Sequence, residues 1–155
     1  MERNDMKQAA LDALGWLMDA QKEERGHFVP VGCNGFWTRG GERARFDQQP
    51  IEAQAAVCAC LAAQEITDDS RWGRHAQTAF DWFIGRNDLR LSMYDAATGG
   101  CRDGLHSDRL NQNQGAESTL AFLLSLLEIR RAQAAEVATN GAERARGDGA
   151  VQTLT

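Results

Sequence analysis

Apolar residues recur at helical spacing in two segments of the chain and fill two other segments almost completely. The spacing predicts an amphipathic helix over about residues 5–24 and another over about residues 70–85. Residues 53–63 and 120–127 are apolar at nearly every position, which is typical of helices enclosed by other helices. The pattern therefore predicts four helices that alternate between an outer, amphipathic type and an inner, buried type.

The alternation indicates an internal repeat of one helical hairpin. Each unit runs from an outer helix through a long polar loop to an inner helix, and matched residues lie about 65 positions apart. The matched pairs are Gln49 and Gln114, Glu52 and Glu117, and Trp16 and Trp82. Trp16, Trp72 and Trp82 all fall on predicted outer helices, where we expect packing rather than ligand binding.

Repeated hairpins with buried second helices predict an all-α fold, a partial α/α toroid in which outer helices cover an inner ring. A free-standing four-helix bundle is the alternative. Two hairpins leave open edges where another hairpin would stack, so we expect a segment of a ring. The hairpin domain is expected to span residues 1–137. Residues 138–155 lack aromatic side chains and are expected to form a disordered tail.

Charge and hydropathy exclude several classes of protein. The 155 residues carry 17 basic and 22 acidic side chains, a net charge of -5, so we expect no basic surface for a nucleic-acid backbone. No apolar run approaches the roughly 20 residues that cross a bilayer. Residues 1–10 lack the apolar core of a signal peptide. These features predict a cytoplasmic protein without a membrane span.

The cysteines and histidines show no metal or redox motif. The four cysteines, at positions 33, 58, 60 and 101, contain no C-x-x-C spacing and are expected to be reduced structural thiols. His27, His75 and His106 share no ligand spacing. Phosphate-binding loops and nucleophile elbows are also missing from the sequence. We therefore expect neither a metal nor another cofactor.

The two polar loops are the best place for a binding site, because they are far longer than the usual helix connection of about 2–8 residues. Both precede an inner helix, so both should lie at the same end of the molecule. Aromatic faces, amides, carboxylates and guanidinium groups suit a sugar ring and its hydroxyls, although a solvated loop with internal caps would contain the same groups. The candidate saccharide-binding residues are Trp37, Arg45, Gln48, Gln49, Asn87, Asp88, Tyr94, His106, Asn111, Asn113 and Gln114.

Four carboxylates are candidate catalytic groups: Asp47, Asp103, Glu52 and Glu117. Cleavage of a glycosidic bond requires two carboxyl groups at a defined separation with different proton affinities. For Glu52 and Glu117 the favoured alternative is helix capping, since each lies three residues after a glutamine in a first helical turn. Asp47 and Asp103 could instead be turn-forming residues.

Several polar strings resemble a known group of bacterial proteins. They are FDQQPIEA at 46–53, GRNDL at 85–89, GGCRDGL at 99–105 and NQNQGAEST at 111–119. Together they resemble the C-terminal part of six-hairpin glycosidase-like α/α toroid proteins, often described as glycosyltransferases or found beside glycosyltransferase domains. The resemblance covers roughly residues 10–131 and implies a carbohydrate-related role without fixing a reaction. A full toroid would need about six hairpins, or roughly 390 residues at this repeat length.

Two functions follow as expectations. The first is a carbohydrate-active segment that binds a saccharide on its loops and is catalytic only if the ring is completed. The second is a non-catalytic assembly module, which docks on a glycosyltransferase or on a second copy of the chain. A degraded remnant with no function of its own is a third alternative.

Overall fold

The computed structural model describes residues 3–151. It contains the helices α1 (Arg3–Ala20), α2 (Pro50–Thr67), α3 (Ser70–Asp81) and α4 (Ala116–Val151). Within this range, extended structure is limited to isolated bridges in the loops. The predicted all-α class with about four helices is therefore confirmed. None of the described helices combines the length and apolarity needed to cross a bilayer.

Local chemistry explains where the helices begin and end. Pro50 begins α2, where its missing N–H costs no hydrogen bond. Asp68 ends α2 in a left-handed conformation and donates its N–H to the Gln64 carbonyl. The Asp69 carboxylate then caps α3 by accepting from Arg71 N. Two residues thus suffice to reverse the chain between α2 and α3.

The outer helices are shorter than expected, and α4 is longer. α1 stops at Ala20 because the next residues form a turn in which Lys22 bridges Phe28. α3 stops at Asp81, where the chain passes into successive tight turns. α4 continues to Val151, beyond the expected domain boundary at residue 137. Residues 152–155 of the expected tail lie outside the described residues, and the boundary itself stays a prediction.

The internal repeat is visible in the burial pattern of α2 and α4. Many positions that differ by 65 in number have the same burial. The pairs buried in both helices are Ala53 and Ser118, Ala56 and Ala121, Val57 and Phe122, and Cys60 and Ser125. The pairs exposed in both include Ala55 and Leu120, Ala59 and Leu124, and Ala62 and Leu127. The two inner helices therefore bury equivalent positions.

The core lies where α2 packs against the other three helices. Phe80, in the last turn of α3, and Phe83, just after this helix, contact Phe122 of α4 with ring centroids 6.1 and 5.6 Å apart. Trp72 and Trp82 are 2% and 0% exposed, so the packing role predicted for them is confirmed. This aromatic cluster anchors the start of the second loop against α4.

The expectation that the inner helices are enclosed on all sides is wrong. Leu120, Leu123, Leu124 and Leu127 on α4 are 55%, 45%, 46% and 52% exposed. We call these four residues the leucine face. α1 and α3 cover the inner helices from one side only, and nothing in the described part of the chain covers the other side. An apolar surface all around a helix thus indicates that the helix packs against neighbours on every side. The described residues cover only part of that surface on α4.

Candidate functional site

The two long loops meet at one end of the molecule, as the repeat predicts. Gln48 and Leu105 form an antiparallel bridge in which each backbone N–H donates to the other's carbonyl, at 3.0 and 2.9 Å. Gln48 lies just before α2, and Leu105 lies between α3 and α4. We call the surface formed by residues 21–49 and 82–115 the loop face.

A buried carboxylate holds the two loops together. Asp88 accepts hydrogen bonds from His27 at 3.0 Å, from Arg45 at 2.6 Å and from Gln48 at 2.8 Å. Its side chain is only 5% exposed. Burial raises the pKa of Asp88, but the three hydrogen bonds outweigh burial and keep that pKa below its ordinary value. The Asp88 carboxylate is therefore fully engaged within the protein.

Two predicted sugar-binding amides lie inside the fold. Gln48 is 0% exposed, and its Oε1 accepts a 2.7 Å hydrogen bond from Trp82 Nε1. Asn87 is 2% exposed and donates to the backbone carbonyls of Trp82 and Leu91, at 2.9 and 2.8 Å. Both amides thus position the loops in this structure rather than facing outward.

The far part of the second loop is also ordered by its own polar groups. Gln114 donates to Asp95 at 3.0 Å and accepts from the Thr98 hydroxyl at 2.6 Å. The Asn111 side chain accepts from the backbone N–H of Asn113 at 3.1 Å, a local turn. Asn113 itself is exposed. In this part of the loop, the Asn113 side chain is therefore accessible to a ligand, while the Gln114 side chain forms hydrogen bonds within the loop.

Three of the four candidate carboxylates lie near the beginning of an inner helix. Asp103 accepts from the N–H of Gly115 at 2.6 Å, directly before α4. Glu52 and Glu117 are exposed in the first turns of α2 and α4, where the helix dipole favours negative charge. Gln49 makes no side-chain capping bond, so the reciprocal cap expected at α2 is not formed. Its amide instead donates to the Cys33 sulfur at 3.4 Å.

Asp47 and His106 form the pair that joins both loops at the surface. They flank the Gln48–Leu105 bridge on opposite chain segments, and His106 Nδ1 contacts Asp47 Oδ1. Their side chains are 33% and 30% exposed. Since a carboxylate oxygen accepts, His106 Nδ1 donates, which leaves Nε2 of the neutral ring as an acceptor. The pair resembles the base-and-orienter arrangement of general-base sites.

The backbone at Asp47 is held in an uncommon conformation. Its φ is +56°, in the left-handed region, where aspartate is among the more tolerated residues. The Asp47 carbonyl accepts from the N–H of Cys33 at 3.1 Å, which ties this turn to the first loop. The strained turn therefore directs the carboxylate towards His106.

Two aromatic side chains of the loop face are partly covered by neighbours. Trp37 stacks on Trp16 of α1 at 5.3 Å with an angle of 15°, and its Nε1 donates to the Gly41 carbonyl at 3.2 Å. Tyr94 stacks on Phe122 at 4.7 Å. Trp16 is 60% exposed and Trp37 is 37% exposed. The packing role expected for Trp16 is thus limited to this stack, which forms an exposed indole surface.

Buried thiols and scattered histidines define the remaining chemistry. Burial raises the pKa of both Cys60 and Cys101 to about 12, so neither thiol is a nucleophile at neutral pH. The four cysteines are free thiols. Among residues 3–151, no group of three or more His, Cys, Asp or Glu side chains could hold a metal ion.

Sequence reasoning missed the specific partners rather than the region. His27 was visible as a loop histidine, but only the folded loops place it against Asp88. The Trp16–Trp37 stack joins residues 21 positions apart, and no spacing rule connects a helix residue to a loop residue. No protein-family model matches the chain, and no curated protein matches it.

Proposed function

We propose that this chain is a cytoplasmic, carbohydrate-binding segment of an α/α toroid, which binds a saccharide at the loop face and becomes catalytic only when further hairpins complete the ring. The observation that carries this proposal is the Asp47–His106 pair. It is built from both loops, it lies at their junction, and both side chains are about one-third exposed.

The chemistry of the loop face supports a sugar ligand. The Asp47 carboxylate and His106 Nε2 supply neighbouring acceptor positions for the hydroxyl groups of a sugar. The exposed Trp16–Trp37 stack offers an apolar surface for the C–H face of a sugar ring. Glu52 and Glu117 add exposed carboxylates on the first turns of the two inner helices. Carboxylates are the catalytic groups of most glycoside hydrolases, whose reaction requires two carboxyl groups at a defined separation.

Removing the polar pair tests this proposal. Asp47→Asn and His106→Gln are each expected to weaken binding of neutral oligosaccharides about tenfold, because each removes a charge-assisted hydrogen bond or its partner. Glycan-array screening of the folded protein would identify the oligosaccharide, and calorimetry would measure the change in Kd.

Asp108→Asn is the matched control. Asp108 lies in the same loop, is 68% exposed and pairs only with its neighbour Arg109 among the described contacts, so its substitution should leave Kd unchanged. A folded sample that binds none of the arrayed glycans contradicts the proposal. Binding that survives both variants of the polar pair contradicts it equally.

The leucine face favours a second function, assembly through helical hairpins. On α2 the residue equivalent to Leu123 is Cys58, because 58 and 123 differ by 65. Cys58 lies beside α4, where burial and then the charge of Glu128 raise its pKa. Leu123 presents the same position to solvent, at 45% exposure. We infer that the leucine face receives a further hairpin of the same kind, supplied by a second copy or by a glycosyltransferase that carries such hairpins.

A charge on the leucine face tests the assembly function. The wild-type chain should self-associate in a concentration-dependent manner, and Leu124→Glu should weaken that association about a hundredfold, since burial of a leucine is worth about 1.5–3 kcal/mol. Sedimentation velocity measures both. Val137→Glu is the control, because Val137 is 72% exposed on α4 outside this face. A wild-type chain that sediments as a monomer at every concentration contradicts self-assembly.

A further inference from the structure

A cavity lies between α1 and α3 and includes the first residues of the loop face. Its volume is about 420 Å³, within the range of about 300–1,000 Å³ that small-molecule sites occupy. Its lining residues come from the end of α1, the start of the first loop and the exposed side of α3. They are Met18, Asp19, Gln21, Lys22, Phe28, Arg71, Arg74, His75 and Thr78. None of them was among the candidate saccharide-binding or catalytic residues.

The cavity concentrates positive charge on an acidic chain. Three permanently cationic side chains, Lys22, Arg71 and Arg74, line it together with a single carboxylate, Asp19, while the whole chain carries -5. Arg71 also forms an ion pair with Asp69, which lies outside the cavity, with 3.5 Å between Arg71 Nε and Asp69 Oδ2. The excess of cations therefore attracts an anion.

The two arginines are already oriented. The Arg71 guanidinium lies over the Trp72 ring, 4.9 Å from its centroid. Arg74 donates one Nη1 hydrogen bond to the Ser70 hydroxyl at 3.0 Å, and a guanidinium has four further N–H donors. Trp72 and Ser70 do not line the cavity, but both arginines do, and each keeps N–H donors that these contacts leave free for a ligand.

A buried amide adds a neutral polar group to the same wall. Gln21 is only 4% exposed, yet it lines the cavity. Its backbone carbonyl accepts from Val29 N at 2.7 Å, whereas no side chain or backbone group among the described residues hydrogen-bonds its carboxamide. The polar atoms of this carboxamide are not among the buried side-chain atoms that lack a partner, so they reach the surface of the cavity, where a bound molecule can contact them.

We propose that this cavity binds the phosphate group of a small phosphomonoester. A phosphomonoester carries a charge of about -1.5 to -2 at neutral pH and three acceptor oxygens. It complements a cavity in which three cations outnumber two carboxylates, Asp19 in the lining and Asp69 beside Arg71. Guanidinium groups bind phosphate oxygens in pairs, and the Gln21 amide supplies a further donor. The cavity shares no residue with the candidate saccharide-binding or catalytic residues, so this proposal does not depend on the saccharide proposal.

His75 provides an internal probe of the site. Burial lowers the pKa of His75, the nearby Asp19 carboxylate opposes that effect, and the charges of Arg71, Lys22 and Arg74 lower the pKa further. A phosphate dianion beside the ring would favour the imidazolium and raise this pKa. The residue therefore reports whether an anion occupies this cavity or another part of the surface.

Titration with inorganic phosphate and with glucose 6-phosphate, followed by NMR of the His75 ring, tests the proposal. Both ligands should raise the pKa of His75, and unphosphorylated glucose should not. A larger effect of glucose 6-phosphate would indicate that the site also contacts the rest of the ester. Arg74→Gln should weaken phosphate binding about tenfold, and Arg109→Gln, the same change of charge on the second loop, should leave it unchanged.

Lys22→Gln protects the test against a folding defect, because Lys22 is exposed and its substitution leaves the core intact. It should weaken phosphate binding in the same direction as Arg74→Gln. The proposal is overturned if millimolar phosphate leaves the pKa of His75 unchanged. It is overturned as well if Arg109→Gln weakens binding as much as Arg74→Gln does, since binding would then follow net charge alone.

Discussion

Asp88→Ala will lower the free energy of unfolding by about 3 kcal/mol, near the low end of what breaking a buried ion pair costs. The variant leaves buried His27 and Gln48 without their shared acceptor. Arg45 suffers less, because it is 43% exposed and keeps its 2.7 Å contact with Glu23. Urea unfolding followed by circular dichroism measures the change.

The matched control is Asp108→Ala, which removes a carboxylate that is 68% exposed and should alter stability by less than about 0.5 kcal/mol. Equal effects of the two variants would show that Asp88 does not join the loops energetically.

Acid titration of the same two proteins gives an independent measurement of the Asp88 effect. Because the pKa of Asp88 in the folded protein lies below the ordinary value of 3.8, its stabilising contribution is complete above 3.8. That contribution is lost as the pH falls below 3.8 through the folded-state pKa. The stability gap between wild type and Asp88→Ala should therefore narrow only in strong acid. A gap that closes between pH 5 and pH 7 would assign the effect to another group.

Phe83→Ala will lower the free energy of unfolding by about 3–5 kcal/mol, the range for removing a fully buried phenylalanine. Phe83 is 0% exposed and packs against Trp82, Phe80 and Phe122. Its backbone carbonyl also accepts from Met93 at 2.8 Å, so the side chain anchors the point where the second loop leaves α3. Denaturant unfolding is again the measurement.

Phe36→Ala is the control for Phe83→Ala, since Phe36 is 66% exposed at the tip of the first loop. It should change stability by less than about 0.5 kcal/mol. A small effect of Phe83→Ala would mean that the aromatic cluster does not form the centre of the core.

The second helical unit shows how far a sequence pattern reaches. The apolar spacing of residues 70–85 predicts α3 together with its buried tryptophan, and Trp72 is indeed 2% exposed. The spacing does not mark the end at Asp81, since Trp82 and Phe83 continue the apolar pattern through turns that are no longer helical. Periodicity records which residues seek the core, and tertiary contacts determine the backbone that brings them there.

The loop face shows the opposite limit. Its position follows from the sequence, because both loops precede an inner helix and therefore share one end. The roles of its residues do not follow. Gln48 and Asn113 are equally polar in the sequence, yet the first is 0% exposed and the second is exposed. Both side chains carry the same amide group. Only the segments of the chain that pack around each residue decide whether its amide forms hydrogen bonds within the protein or faces solvent.

By itself, the sequence determined four helices, a duplicated hairpin and two long polar connections, because apolar periodicity and turn chemistry act over short stretches of chain. The tertiary structure alone decided that Asp47 meets His106, that Asp88 becomes a buried clamp, and that the leucine face stays uncovered. Each of these outcomes depends on groups brought together from distant positions, or on a neighbour that the described residues do not supply, and no local pattern encodes such a neighbour.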